Sequence, residues 1–144
     1  MTIRDILQVK GSDVYTTTPQ TTLEKVVEVM VERNCGSLVV VDRPDSLTLV
    51  GIITERDILR NRAARTTALD KVLVGDAMSM AVVTASLGDE VPKLMGLMTK
   101  NRFRHMPVVE DGKLVGIISI GDVVKSQHDA LTMENHYLKN YIQS

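Results

Sequence analysis

One stretch of ten residues occurs twice in this chain, and this internal repeat limits the possible folds more than any other feature of the sequence. Residues 49–58 read LVGIITERDI, and residues 114–123 read LVGIISIGDV. Upstream, the apolar run at residues 38–42 returns at residues 106–110. The spacing between the two blocks differs by three residues, which are absorbed in one intervening turn. A length change confined to a turn is expected of two copies of one fold.

Both copies predict the same order of elements: short strand, helix, strand, strand, helix. In each copy, four apolar residues recur with helical spacing, and two short runs rich in β-branched residues follow as strands. The Asp111-Gly112 pair between the second copy's runs predicts a tight hairpin. The helical positions are Leu23, Val26, Val27 and Met30 in the first copy and Val91, Leu94, Met95 and Met98 in the second. The predicted fold class is therefore α/β (α+β), with two β-α-β-β-α repeats. We expect the two repeats to pack against each other, because neither has enough helices to cover its own sheet.

The repeat divides the chain into three parts. Residues 1–65 hold the first copy with an N-terminal lead-in, residues 66–125 hold the second copy with a linker, and residues 126–144 form a helical tail. The tail region carries one thin apolar stripe, made by Val124, Leu131, Leu138 and Ile142. Such a stripe fits either packing across the module or pairing with a partner chain, and we favour pairing.

Composition argues against several classes of function. The net charge of −1 lacks the basic excess of a nucleic-acid binder, and no apolar run approaches the ~20 residues needed to span a membrane. The lone Cys35 excludes an internal disulfide and is interpreted as a small buried residue, so a cytoplasmic setting is expected. His128 and His136 lack the carboxylate or thiol neighbours of a metal site. No nucleophile with a base and no phosphate-binding loop is present, which predicts a protein that is not an enzyme.

The repeated motifs Thr54-x-x-Asp57 and Ser119-x-x-Asp122 each stand at a predicted strand-to-helix junction. A hydroxyl followed three residues later by an acid is an ordinary helix N-terminal cap. The motif nevertheless lies where α/β folds tend to place ligands, and one carboxylate can accept hydrogen bonds from two neighbouring sugar hydroxyls. Capping and ribose binding are therefore both open, and they are compatible.

This ordered set of segments resembles the CBS domain, whose tandem pair is called a Bateman module. The resemblance covers the chain from about residue 3 to about residue 125. The segments that carry it are residues 16–19, 36–42 and 51–57 in the first copy and residues 104–109 and 116–122 in the second. The resemblance implies two repeats related by a pseudo-twofold axis, with up to two sites in the cleft between them for AMP, ADP, ATP, NAD or S-adenosylmethionine.

Carried over residue by residue, the resemblance implies two unequal sites. The first would use Ser119 and Asp122 for the ribose, Ile6, Cys35 and Gly36 around the adenine, and Arg104 and His105 toward the phosphates. The second would use Thr54 and Asp57, with Arg56, Ala77, Phe103 and Arg104. The first site is favoured for a charged nucleotide because it has more positive charge, although Arg104 and His105 also fit an ordinary solvated edge pair.

The expected function is a regulatory sensor with AMP as the first candidate ligand. Because the repeats use nearly the whole chain, the signal would pass through the geometry of a homodimer or to a separate regulated protein. The alternatives are a dimerisation module without a ligand and a sensor of S-adenosylmethionine.

Overall fold

The computed structural model describes residues 1–143 as two similar α/β units followed by a long helix. The first repeat region contains α1 (Ile3–Lys10), β1 (Thr16–Thr17), α2 (Leu23–Arg33), β2 (Ser37–Val41), β3 (Leu49–Thr54) and α3 (Glu55–Ala64). A 3-10 turn (Leu69–Lys71) leads into α4 (Val74–Ala77), α5 (Val91–Asn101), β4 (His105–Glu110), β5 (Lys113–Ser119) and α6 (Ile120–Gln143). The predicted mixed α/β class and the long C-terminal helix are confirmed.

The two sheets differ in one strand. In the first repeat, β1 runs parallel to β2, which pairs antiparallel with β3. In the second, β4 and β5 form a two-stranded antiparallel sheet. The short strand predicted ahead of α5 is reduced to one parallel bridge between Ala85 and Val108. Ala85 still donates to the Pro107 carbonyl and accepts from the Val109 N–H, both at 2.9 Å.

The β4–β5 connection is the predicted tight hairpin. Glu110 pairs with Lys113 across the turn, and the two residues between them, Asp111 and Gly112, have φ angles of 51° and 76°. Positive φ at both central positions is the geometry of a type I′ turn, which suits the twist of the flanking strands.

The segment ahead of each repeat packs into the core of the other repeat. Val72 and Val74, which follow the first repeat in sequence, are buried with Leu23, Val26 and Ile53 of that repeat. In the same way, α1 is buried in the second core, where Ile3, Ile6 and Leu7 join Leu94, Met98 and Met106. Backbone hydrogen bonds follow this exchange, from Ile3 N–H to the Asp89 carbonyl at 3.0 Å and from Leu23 N–H to the Val72 carbonyl at 2.9 Å. The repeats are therefore interlocked, and sequence boundaries near residue 65 do not separate the packing units.

A third, smaller cluster joins the two sheets. Val39, Val41 and Leu114 are buried together, and the Leu114 N–H donates to the Leu47 carbonyl at 2.9 Å. Burial of a valine or leucine side chain contributes roughly 1.5–3 kcal/mol, so this cluster stabilises the contact between the repeats.

The helix α6 is anchored only at its beginning. Val123 is fully buried in the second core, whereas Leu131 and Ile142 are 60% and 80% exposed. The apolar stripe of the tail does not pack across the module within the described residues. Pairing with a partner chain stays a prediction, and Ser144 of the predicted tail lies outside the described residues.

Candidate functional site

The starts of α3 and α6 are built in the same way around Asp57 and Asp122. Asp57 donates its N–H to Thr54 Oγ1 at 3.2 Å and accepts the Thr54 N–H at Oδ2 at 3.0 Å. Asp122 donates its N–H to Ser119 Oγ at 3.1 Å and accepts the Ser119 N–H at Oδ2 at 2.8 Å. Both motifs are thus reciprocal helix caps. Capping accounts for one oxygen of each carboxylate and leaves the ligand-binding interpretation open.

The strand before each helix has a glycine, Gly51 in β3 and Gly116 in β5. Each glycine leaves room for the segment that leads into the other repeat to approach Asp57 or Asp122. A Cβ atom on Gly51 would lie 2.9 Å from the Ser79 carbonyl oxygen, and one on Gly116 would lie 2.8 Å from Leu7 Cδ1. A larger residue at position 51 would have to move the backbone of Ser79, whereas one at position 116 would have to displace the side chain of Leu7. The residues that reach Asp57 and Asp122 from this direction therefore come from the other repeat's lead-in.

At Asp57 the approaching group is neutral. The Ser79 hydroxyl donates to Asp57 Oδ1 at 3.2 Å, and the Ser79 backbone exchanges hydrogen bonds of 2.9 and 3.0 Å with Ile52. The Asp57 residue is only 8% exposed. This carboxylate accepts the Thr54 N–H and the Thr54 hydroxyl at Oδ2 and the Ser79 hydroxyl at Oδ1.

At Asp122 the approaching group is a cation. Lys10 Nζ lies 2.6 Å from Asp122 Oδ2 and 2.7 Å from the Ile117 carbonyl oxygen. Burial acts to raise the pKa of Asp122, but the hydrogen bonds from Lys10 and Ser119 outweigh it and hold this pKa below its usual value. Asp122 is therefore a carboxylate at neutral pH with a fixed counter-charge.

His105 lies beside this ion pair, because it is paired with Ser119 in the β4–β5 register. Its burial lowers its pKa below the ordinary 6.5, and the charges of Lys10 and Arg104 act in the same direction. Asp122 and Glu55 oppose this effect. The imidazole is thus neutral at neutral pH and has charges of both signs around it.

The first-repeat residues of the predicted site lie at the end of α2. Cys35 is partly buried, which raises the pKa of its thiol. The Gly36 carbonyl accepts the Glu55 N–H at 3.0 Å, and the Glu55 carboxyl lies 3.2 Å from where a Gly36 Cβ would be. Since the Glu55 charge acts on both Cys35 and His105, this acid connects the first-repeat side of the site with the second. Ile6 is 6% exposed and belongs to the second core.

The sequence profile of the CBS domain matches residues 3–64 and again residues 74–129. The chain belongs to the CBS-domain family. Solved structures support this assignment: the CBS-domain containing protein ATU1752 from Agrobacterium tumefaciens is 38% identical, with a TM-score of 0.82, over 88% of this chain and 99% of that one. The mitochondrial CBS domain-containing protein CBSX3 of Arabidopsis thaliana is 37% identical over 99% of this chain and 72% of its own length.

A further CBS-family structure carries a ligand. CBSX2 in complex with AMP is 28% identical to this chain, with a TM-score of 0.73, over 92% of this chain and 98% of that one. The fold of this CBS pair is therefore shared with a protein that holds an adenine nucleotide.

The remaining predicted residues of the second site are spread around the CBS pair. Ala77 packs against the first core, Phe103 packs against the second, and Arg56 and Arg104 are exposed. The Arg104 carbonyl accepts the Ile120 N–H at 2.9 Å, as the Gly36 carbonyl does for Glu55. Residue-level ligand contacts at both sites of this CBS pair stay predictions.

Three residues beside the two candidate sites are not predicted from the sequence: Lys10, Ser79 and Glu55. Lys10 ends α1, and a basic residue in a last turn followed by Gly11 reads as an ordinary helix end. Ser79 and Glu55 have no counterpart of the same type in the other CBS repeat. Glu55 could have been found, because it lies inside the repeated motif where the second copy has Ile120.

Of two concave regions formed by residues 1–143, one includes predicted site residues and the other does not. A groove of about 560 Å³ lies between α2 and α3 and is lined by Cys35, Gly36 and Glu55 together with apolar residues. A larger cleft of about 770 Å³ lies between α1, the loop after it and β5, and neither Asp57 nor Asp122 lines it. The chemistry of the caps, and not cleft size, therefore identifies the candidate site.

Residues 1–143 contain neither a candidate metal centre nor a candidate membrane-spanning helix. No cluster of three or more His, Cys, Asp or Glu side chains in this part of the chain could hold a metal ion. No helix among these residues is both long and apolar enough to cross a membrane.

Proposed function

We propose that this CBS pair is a non-catalytic sensor that binds AMP at the start of α6. The observation that carries the proposal is the Asp122 carboxylate, which is partly buried, is bonded to the cation Lys10, and has the neutral His105 and the charge of Arg104 beside it. A carboxylate accepts from the vicinal hydroxyls of a ribose, and cationic groups bind a phosphate through charge-assisted hydrogen bonds. The AMP complex of a related CBS-domain protein supports the same ligand class.

The roles follow from these positions. Ser119 and Asp122 hold the ribose, Arg104 and His105 face the phosphate, and Ile6, Cys35 and Gly36 contact the adenine. Glu55 adds a second negative charge to the first-repeat side of the site. Since that charge repels each added phosphate, AMP is preferred over ADP, ATP and NAD.

The Asp57 site is proposed as a weaker second site. Thr54 and Asp57 would hold the ribose there, with Ala77, Phe103 and Arg104 from the other repeat. Ser79 already donates to Asp57, and Arg56 in the first turn of α3 is proposed as the first-repeat cation for a phosphate. This site has less reason to bind a charged ligand.

A sensor of S-adenosylmethionine is the second candidate. The negative charges of Asp122 and Glu55 both influence His105. A sulfonium cation bound beside His105 would be attracted to these two carboxylates. The same adenine and ribose contacts would serve either ligand.

Titration calorimetry of ligand-stripped protein with AMP, ATP, NAD and S-adenosylmethionine tests the proposal. We expect micromolar binding of AMP, and we expect Asp122→Asn to weaken it by about tenfold or more, the size of one charged hydrogen bond. The amide oxygen still accepts the Ser119 N–H, so the cap is retained.

Asp57→Asn is the matched control and leaves the tighter binding event unchanged. Equal AMP affinity for Asp122→Asn and the parent would contradict the site assignment. The absence of heat from all four ligands, in a protein that melts normally, would favour a scaffold without a ligand.

We propose further that the CBS pair acts as a homodimer in the cytoplasm and passes its signal to a separate protein. Val31 on α2 and Leu59 on α3 are 77% and 69% exposed, and they border the groove between these helices. Exposed apolar side chains that adjoin one another mark interaction surfaces. Light scattering of the purified protein measures the mass in solution, and a monomer at micromolar concentration would contradict the dimer.

Fractionation of cells that express the tagged chain tests the compartment.

A further inference from the structure

Lys10 occupies the carboxylate that the proposed function assigns to the ribose. Its Nζ atom lies 2.6 Å from Asp122 Oδ2 and 2.7 Å from the Ile117 carbonyl oxygen. The same Oδ2 atom accepts the Ser119 N–H at 2.8 Å. Because Oδ2 already accepts from two donors, a ribose gains full use of this carboxylate only when Lys10 gives up its contact.

The backbone at Lys10 is fixed, whereas its side chain can change partner. Lys10 is the last residue of α1, which is tied to the second repeat by the hydrogen bond from Ile3 N–H to the Asp89 carbonyl at 3.0 Å. Leu7 of the same helix packs over Gly116. The ammonium stands on a flexible four-carbon stem, so it can move a few ångströms while the helix stays in place.

An ammonium that leaves Asp122 needs another anion. The side chains of Lys10 and Asp122 are only 30% and 22% exposed, and a partly buried charge without a partner is unfavourable. Lys10 shares Asp122 Oδ2 with the Ser119 N–H, and Ser119 is paired with His105 across β4 and β5, so Lys10 lies near the pair proposed to face the phosphate. A 5′-phosphate bound there offers Lys10 a new partner as the ribose takes Asp122. A nucleoside without a phosphate offers none.

We propose that Lys10 is a specificity-determining residue that selects AMP over adenosine by exchanging its contact with Asp122 for a contact with the ligand's phosphate. The inference rests on the proposed function, because it requires the Asp122 site to bind an adenine nucleotide. At Asp57 the corresponding partner is the neutral Ser79 hydroxyl, which imposes no such choice. The selection is therefore a property of one site.

Titration calorimetry with AMP and with adenosine, on the full chain, tests the exchange. The parent protein is expected to bind AMP about 100-fold more tightly than adenosine. Lys10→Met is expected to weaken AMP by about 10- to 100-fold, as for the loss of one charge-assisted hydrogen bond. Adenosine binding stays equal or becomes tighter, because Asp122 no longer has to be freed. Lys10→Arg retains the preference for AMP.

Lys25→Met is the matched control, since Lys25 forms an exposed ion pair with Glu28 at 3.7 Å on α2. If the ratio of AMP affinity to adenosine affinity is the same in Lys10→Met as in the parent, whether both affinities fall equally or neither changes, the inference is overturned. The proposed function still stands in that case, provided that the parent binds AMP. Failure of the parent to bind AMP would overturn both. If Lys10→Met does not fold by circular dichroism, Lys10→Gln carries the same comparison.

Discussion

His105 is surrounded by charged groups from four parts of the chain. Lys10 at the end of α1 and Arg104 just ahead of β4 are positive, whereas Glu55 on α3 and Asp122 on α6 are negative. Burial is the largest influence on the imidazole and lowers its pKa below 6.5. In the unfolded chain these influences are lost, so the unfolded state binds a proton more readily than the folded state.

The free energy of unfolding is therefore expected to fall as the pH is lowered through the ordinary histidine pKa of 6.5 toward the lower pKa of folded His105. Below that folded-state pKa the loss levels off, since both states are then protonated. Urea unfolding of the parent and of His105→Gln between pH 7.5 and 5.5 measures this, and the variant should show the smaller pH dependence. His136→Gln, on the exposed part of α6, is the control. If the free energy of unfolding depends on pH in the same way for His105→Gln and the parent, His105 is not the source of this pH dependence.

At the scale of single residues, the sequence predicts the local contacts and misses the distant ones. Thr54 with Asp57 and Ser119 with Asp122 are three positions apart, so their caps follow from helix geometry. The partner of Asp122 is Lys10, which is 112 positions away. That contact depends on α1 packing into the second core, and nothing in the composition of either segment indicates it.

At the scale of elements, β3 and β5 differ in what their glycines face. A Cβ on Gly51 would meet the backbone oxygen of Ser79 and the Met78 sulfur, both at 2.9 Å, whereas one on Gly116 would meet only atoms of the Leu7 side chain. A side-chain terminus can rotate away. A backbone oxygen that takes part in the Ile52–Ser79 bridge can move only by opening that bridge.

Gly51→Ala is therefore expected to destabilise the protein by about 1–3 kcal/mol, the usual result of overpacking, and Gly116→Ala by less than about 1 kcal/mol. Urea denaturation measures both variants. Hydrogen exchange at the Ile52 and Ser79 amides should be faster in Gly51→Ala alone. If Gly116→Ala were the more destabilising of the two, the difference between backbone and side-chain contacts would be wrong.

The elements themselves show what the repeat could and could not predict. The periodicity of apolar residues and the Asp111-Gly112 turn were sufficient for α2, α5 and the β4–β5 hairpin. The sequence predicts only an unspecified lead-in at the start of residues 1–65, although Thr2 donates its N–H to Asp5 Oδ2 at 2.9 Å in the pattern of a helix cap. The helix α1 was missed because it has no counterpart of equal length in the second copy, where α4 spans four residues. Comparison of the copies favours features that both share.

At the scale of the whole molecule, the exchange of lead-in segments decides which parts are complete. The first core includes Val72 and Val74, from beyond the first sequence repeat. The second core includes Ile3, Ile6 and Leu7, from the beginning of the chain. A unit cut at the sequence boundary thus loses part of its own core and exposes part of the other.

Two fragments test whether the chain divides at the sequence boundary near residue 65 or at the limits of the first core. Residues 12–79 contain β1 to α4 and the whole first core, whereas residues 1–65 lack Val72 and Val74. We expect the 12–79 fragment to show more native-like circular dichroism and a higher urea midpoint, because each buried valine contributes roughly 1.5–3 kcal/mol. Equal or greater stability of the 1–65 fragment would contradict the role of the exchanged segment.

The packing of each leading segment into the core of the other repeat also limits how a chain of such repeats can lengthen by duplication. A single added copy would bring a leading segment with no neighbouring core to receive it, and would need a partner whose own leading segment completes it. Apolar side chains such as those of Ile3 and Val74, both 0% exposed here, would then face water. We therefore expect such repeats to be gained two at a time, because each member of a pair supplies the segment that completes the core of the other.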